Sequence, residues 1–135
     1  MPSYASYLAR ALRLPFLSAS LLPFCLGSLI DRSSFLSVAF SLGLFSAAFT
    51  HLGANLLNDH ADSKSALDWK DREFYGFFGG SKLIQEGFFS EGFYLLLGVL
   101  FLALSAAGVL ILSFLLKDAR PALFYAIIVF LGVSY

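Results

Sequence analysis

Hydrophobic residues fill four stretches that contain no Asp, Glu, Lys or Arg: Leu14 to Ile30, Ser34 to Leu57, Gly92 to Leu116 and Pro121 to Tyr135. The first three are 17, 24 and 25 residues long, against the roughly 20 that a helix needs to cross a hydrocarbon core about 30 Å thick. Backbone polar groups in lipid must be satisfied within the segment, and runs of this length achieve that as helices. The pattern therefore predicts an all-α transmembrane helical bundle. The fourth stretch has 15 residues and stops short of spanning. It is apolar to its last residue, so it predicts an incomplete fourth helix. On that reading residues 1–135 are the N-terminal part of a single polytopic domain whose C-terminal helices are missing here.

Composition agrees with the pattern. The chain is 59% hydrophobic and 13% charged, with a mean hydropathy of +0.80, too apolar for an ordinary soluble core. Nine basic residues balance nine acidic ones, which removes the basic excess of a nucleic-acid binder. The lone Cys25 can form no intramolecular disulfide and reads as an apolar packing residue. Arg10 and Arg13 before the first span, with Lys64, Lys70, Arg72 and Lys82 after the second, outweigh Arg32, Lys117 and Arg120 on the other side. That asymmetry predicts a cytoplasmic N-terminus and a cytoplasmic loop in a multi-pass inner-membrane protein. A signal peptide fits less well, because the first run is long and no small-residue cleavage site closes it.

The polar positions at the end of the second span carry the chemistry. His51, Asn55, Asn58, Asp59 and Asp62 fall within an arc of about 100° on a helix, whereas Leu52, Leu56 and Leu57 point elsewhere. Fraying of the helix into water accounts for polarity but not for a single stripe. Two aspartates at a helix C-terminus also oppose the macrodipole unless a cation compensates them. Asp59 and Asp62, one turn apart, offer hard oxygen ligands suited to Mg²⁺, which is commonly held by one or two carboxylates plus substrate phosphates. Asn55 adds a carbonyl or an amide donor. His51, one turn deeper, is either a substrate contact or a hydrogen-bonded structural residue, and His60 lies off the arc.

The run Asn55-Leu-Leu-Asn58-Asp59-x-x-Asp62-x5-Asp68 is preceded by Arg13-Leu-Pro15-Phe-Leu-Ser-Ala-Ser20. It is followed by Gly79-Gly80-Ser81-Lys82-Leu-Ile-Gln85-Glu86-Gly87. In this order the three segments resemble the UbiA superfamily of intramembrane aromatic prenyltransferases, and most of all its menaquinone-pathway branch, which prenylates 1,4-dihydroxy-2-naphthoate. Ala66 stands where other branches continue an Asp-x-x-x-Asp spacing, and Asp68 takes its place, as in that branch. The resemblance implies a bundle usually of nine helices, with two aspartate-rich motifs facing each other, of which this chain carries the first. It implies that Asp59 and Asp62 bind Mg²⁺ bridging to a polyprenyl diphosphate and that Asn55 bonds the diphosphate or the metal shell. Asn58, Lys82, Arg13, His51 and Asp68 are the candidate substrate contacts, Asp68 lying out of phase with the stripe and reading as part of the following loop. The aromatic acceptor captures the prenyl group and, in this branch, loses its carboxylate.

Beside that resemblance, simpler readings stand for several residues. Gly79-Gly80-Ser81-Lys82 is too short for a Walker motif and suits a tight turn. Its N–H groups and Lys82 would equally suit a diphosphate. Lys64, Lys70 and Arg10 are already expected from orientation. Trp69, Phe74, Tyr75, Phe77 and Phe78 form an interfacial aromatic belt or line a prenyl tunnel. Two other classes fit the apolar framework: a cation- or proton-coupled transporter fragment, whose sites sit near the midplane, and a non-catalytic membrane subunit.

Overall fold

A computed structural model describes residues 3–30, 37–65, 74, 76 and 79–134, and the described residues contain helices and turns but no strand. Helix α1 spans Tyr4–Ala11, a 3₁₀ turn covers Leu14–Leu17, and α2 spans Ser18–Ile30. The long helices are α3, Val38–Lys64, and α4, Glu91–Leu116, and α5 spans Arg120–Ser134. Asp68, Trp69, Lys70, Tyr75, Phe77 and Phe78 lie outside the described residues.

Serines start three of the helices. Ser3, Ser37 and Ser90 each accept from the backbone N–H three residues on, Ser6, Phe40 and Phe93, at 3.1 to 3.3 Å, which satisfies one of the donors a helix N-terminus leaves open. Helix α1 ends where Arg13 turns left-handed, at φ 49°. Pro15 then fixes the 3₁₀ turn, and α1 and the segment from Leu14 to Ile30 meet at a bend of 42°.

By length and composition α3 and α4 are each able to cross a membrane, and the bent pair would make a third span. Large apolar side chains along these helices, among them Leu26, Phe45, Leu96, Leu110 and Phe114, are exposed, as lipid-facing positions are and as a water-facing surface would rarely be. The second helix carries the whole stripe, as its period requires, and ends at Lys64, two residues beyond Asp62, because the polar end of α3 finds partners that keep it wound. One of the expected boundaries shifts. The first expected helix opens as the 3₁₀ turn, since Pro15 lacks the N–H to continue an α-helical ladder.

Helices α3 and α4 pack against each other along a seam of small and hydroxyl residues, as helices do where no hydrophobic force separates protein from lipid. A Cβ at Gly53 would lie 3.0 Å from the Gly98 carbonyl oxygen. Ser105, fully buried, donates to the Ser46 carbonyl at 2.8 Å and shares a 2.7 Å hydrogen bond with Thr50. Helix α5 returns against α4, where Tyr125 donates to the Leu102 carbonyl at 2.8 Å. Its first turn is fixed by Asp118, whose carboxyl the Arg120 side chain and backbone N–H hold below the ordinary carboxylate range.

The best-buried apolar cluster sits at the polar end of α3 and not at mid-membrane. Ala11, Leu56, Leu83, Ile84 and Tyr94 form it, with Tyr7, Phe89 and Phe93 packed around them. Tyr7 stacks on Phe88 with centroids 4.0 Å apart, so α1 is pinned to the segment that follows the glycine-rich turn.

Candidate functional site

Asp59 is the centre of this end of the molecule. It faces the junction between the stripe and the surface of α3 that carries Leu52, Leu56 and Ser63, and it is only 2% exposed. A carboxylate buried so deeply needs charge or hydrogen bonds from the protein. The Arg13 guanidinium donates to its Oδ1 in an ion pair, and the Ser81 backbone N–H donates to Oδ2 at 2.9 Å. Ser81 is itself 2% exposed, and its Oγ shares a 2.6 Å hydrogen bond with the Tyr94 hydroxyl.

These contacts join parts of the chain far apart in sequence, and the local backbone makes each possible. The left-handed turn at Arg13 reverses the chain between α1 and the 3₁₀ turn, so that its side chain reaches back to α3. Gly79 at φ 73° and Lys82 at φ 60° bend the backbone around Ser81, a conformation that costs a lysine about 1–2 kcal/mol. The turn closes as the Glu86 N–H donates to the Lys82 carbonyl at 2.9 Å.

The other stripe residues are half-buried. Asn58 donates to Asp62 Oδ2 at 3.2 Å, along one turn of α3. His51 Nδ1 shares a 2.8 Å hydrogen bond with Ser20 on α2, which favours the structural alternative for that ring nitrogen. His51 Nε2 and Asn55 Nδ2 are buried without a hydrogen-bond partner among the described residues, so both have a donor or acceptor to offer a ligand. Lys82 is 4% exposed, far from the solvated loop lysine that orientation alone would give.

Two cavities lie near the stripe, the first bordered by the Asp59 partners Arg13 and Ser81 and the second by His51. One, of about 280 Å³, is walled by Arg10, Arg13, Gly76, Gly79, Gly80 and Ser81, with Phe74 at its edge. Arg10 also makes a bidentate pair with Glu86, at 2.6 and 3.2 Å, and lies 3.7 Å over the Phe74 ring. Two guanidinium groups beside a glycine-rich backbone suit an anion. The other cavity, of about 560 Å³, lies between α2, α3, α4 and α5; Phe24, Leu102 and Phe124 supply apolar wall and Thr50 and His51 polar points.

One expectation about charge changes. The compensation that two aspartates at a helix end require is met at Asp59 by Arg13, so the dipole argument by itself does not demand a metal ion. Sequence spacing had no means of pairing residues 13 and 59. His60, off the arc and given no role, is a helix tie: its Nδ1–H donates to the Glu91 carbonyl at 3.1 Å. Lys64 is the last residue of α3 and pairs with Glu91 at 3.5 Å.

For a divalent cation, no group of three His, Cys, Asp or Glu converges among the described residues. A pair of carboxylates one turn apart suffices for Mg²⁺ when a phosphate-bearing ligand completes its shell, and Asp59 with Asp62 is such a pair. As hard oxygen donors the two carboxylates suit that ion chemically, but both oxygens of Asp59 are engaged by Arg13 and Ser81 here, so Arg13 would have to yield Oδ1. Tyr94 is the site residue that sequence reasoning passed over, and Ser81 entered only as part of the glycine-rich turn, with no link to Asp59. Tyr94 reads there as one more apolar position in a span, and only its polar tip hinted otherwise. Comparison with protein-family models, curated proteins and solved structures finds no match to this chain.

Proposed function

We propose that this chain carries the first half of the active site of an Mg²⁺-dependent membrane prenyltransferase. The enzyme moves a polyprenyl group from its diphosphate to an aromatic quinone precursor, with 1,4-dihydroxy-2-naphthoate as the expected acceptor. One observation supports this most: Asp59 brings together the three segments on which the UbiA resemblance rests. Arg13 lies in the first, Asp59 in the second and Ser81 in the third, and they meet through direct hydrogen bonds.

On this reading Asp59 and Asp62 hold the ion, and Asn55 turns its unpartnered amide toward the diphosphate or the metal shell. When bound, Mg²⁺ supplies positive charge to the leaving diphosphate as the allylic C–O bond breaks. With such an ion held there, Asp59 would no longer need Arg13 as its counter-charge, and the guanidinium would be available to the anion beside it. Lys82 and the backbone N–H of Gly80 add fixed positive ends where negative charge grows. The apolar cavity beside His51 receives hydrocarbon and keeps water from the reacting carbon. The active-site end faces the cytoplasm, and a second aspartate-rich motif on further helices of a nine-helix bundle completes the cavity.

The test uses the protein expressed from its own coding sequence, purified in detergent, with a labelled polyprenyl diphosphate and the naphthoate acceptor. Prenylated product should form only with Mg²⁺. Asp59→Ala or Asp62→Ala should lower turnover by about 100-fold or more, on the scale of losing a principal electrostatic element of an active site. Near-normal turnover in either variant contradicts the assignment.

A further inference from the structure

Tyr94 sits in the first turns of α4, fully buried among Leu56, Leu83 and Ile84. Phenylalanine would fill this apolar slot without the need to desolvate a hydroxyl. The hydroxyl does have one partner, the Oγ of Ser81 at 2.6 Å. Ser81 is thus held from two sides, by its Oγ to α4 and by its N–H to Asp59 on α3 at 2.9 Å. It needs such anchoring, since it lies between Gly79 and Lys82, both at positive φ, in a turn whose backbone has no regular ladder to fix where an N–H points.

We propose that Tyr94 is a positioning residue for Asp59, acting through Ser81. The tyrosine hydroxyl fixes the serine, the serine N–H fixes Oδ2, and Oδ1 is left to exchange Arg13 for a metal ion. The inference rests on the metal–diphosphate reading of the site. Its logic is that of ligand orientation: a carboxylate that must swap one partner keeps its plane only if the other oxygen stays anchored, and loss of such outer partners weakens metal affinity about 10- to 100-fold.

The test measures Mn²⁺ binding by electron paramagnetic resonance, on the protein expressed from its own coding sequence, in the presence of an unreactive prenyl thiodiphosphate. Thermal stability is recorded in parallel. Tyr94→Phe should raise the apparent Mn²⁺ dissociation constant about 10-fold, at the lower end of that range. Ser81→Ala should give a similar shift, the double variant no more than the larger single one, and Ser81→Thr should restore much of the affinity. A Tyr94→Phe curve that superimposes on wild type, whatever happens to thermal stability, overturns the proposal, as do fully additive effects in the double variant. Should Tyr94→Phe fail to fold, Ser81→Ala reports alone, and an unchanged curve there overturns it equally. A wild-type protein that binds no Mn²⁺ with the analogue removes the metal–diphosphate reading and this proposal together, whereas normal wild-type binding with unshifted variants removes only the proposal.

Discussion

Replacing Arg13 by methionine leaves Asp59 with one of its two protein partners. The Asp59 side chain is 3% exposed and the Arg13 side chain 21%, so water can reach the arginine but scarcely the carboxylate. Removing one partner of a fully buried ion pair costs about 3–5 kcal/mol, because the remaining charge is stranded, and a hydrogen bond to a charged group contributes about 1.5–3 kcal/mol. The Ser81 N–H remains and Arg13 is partly hydrated, which places the loss at about 2–4 kcal/mol, below the fully buried limit. Arg13→Met with Asp59→Leu removes both charges and should recover all but about 1–3 kcal/mol, the cost of the Ser81 N–H it leaves without an acceptor, since an apolar pair of similar size can replace a buried ion pair. Unfolding in mixed micelles, followed by helicity as denaturing detergent is added, gives the double-mutant cycle. A single-variant loss below about 0.5 kcal/mol, the scale of an exposed ion pair, refutes the view of Arg13 as the counter-charge of a buried carboxylate.

Three further outcomes follow from the same geometry. In a Cys25→Ser background, Ser65→Cys should be labelled by an impermeant thiol reagent only from the cytoplasmic side, and labelling from the outside alone reverses the orientation. Gly53→Ala should destabilise the α3–α4 contact by about 1–3 kcal/mol in the same micelle titration, because its Cβ would meet the Gly98 carbonyl oxygen at 3.0 Å. Gly98→Ala, whose Cβ would lie 2.9 Å from the Leu57 side chain and 3.3 Å from the Gly53 carbonyl oxygen, should cost at least as much. Lys82→Gly relieves about 1–2 kcal/mol of left-handed backbone strain at the expense of a buried side chain, and it should weaken binding of a prenyl diphosphate analogue; unchanged affinity would return Lys82 to a structural role.

The helices were legible because lipid imposes one rule on them. Charge-free runs ended at Gly92, Leu116 and Pro121, within a residue of the observed ends of α4 and of the start of α5, since charges cannot enter the hydrocarbon without partners. The end of α3 follows from periodicity instead. The charge-free run stops at Leu57, but the stripe continues on the same helix to Asp62, and Arg13, Ser81 and Asn58 supply the partners that keep it wound to Lys64. The stripe itself could be read from helical periodicity alone, because His51, Asn55, Asn58, Asp59 and Asp62 obey one period on one element. What faces it could not. Arg13 reaches Asp59 through a left-handed residue with no glycine or asparagine to mark it, and Tyr94 reaches Ser81 across a turn whose path depends on tertiary packing. Local pattern locates a polar face, but the partner of a buried carboxylate is a long-range fact.

The central claim is that the stripe of α3, Arg13 and the Gly79–Lys82 turn together make a metal-dependent diphosphate site. Isothermal titration of the protein expressed from its own coding sequence with an unreactive prenyl thiodiphosphate, at saturating Mg²⁺ and again with the metal chelated, tests it most directly. The account predicts binding with Mg²⁺, its loss on chelation, and loss of the Mg²⁺ effect in Asp59→Asn and Asp62→Asn. Binding of equal strength with and without Mg²⁺, or an undiminished Mg²⁺ effect in both variants, would contradict it.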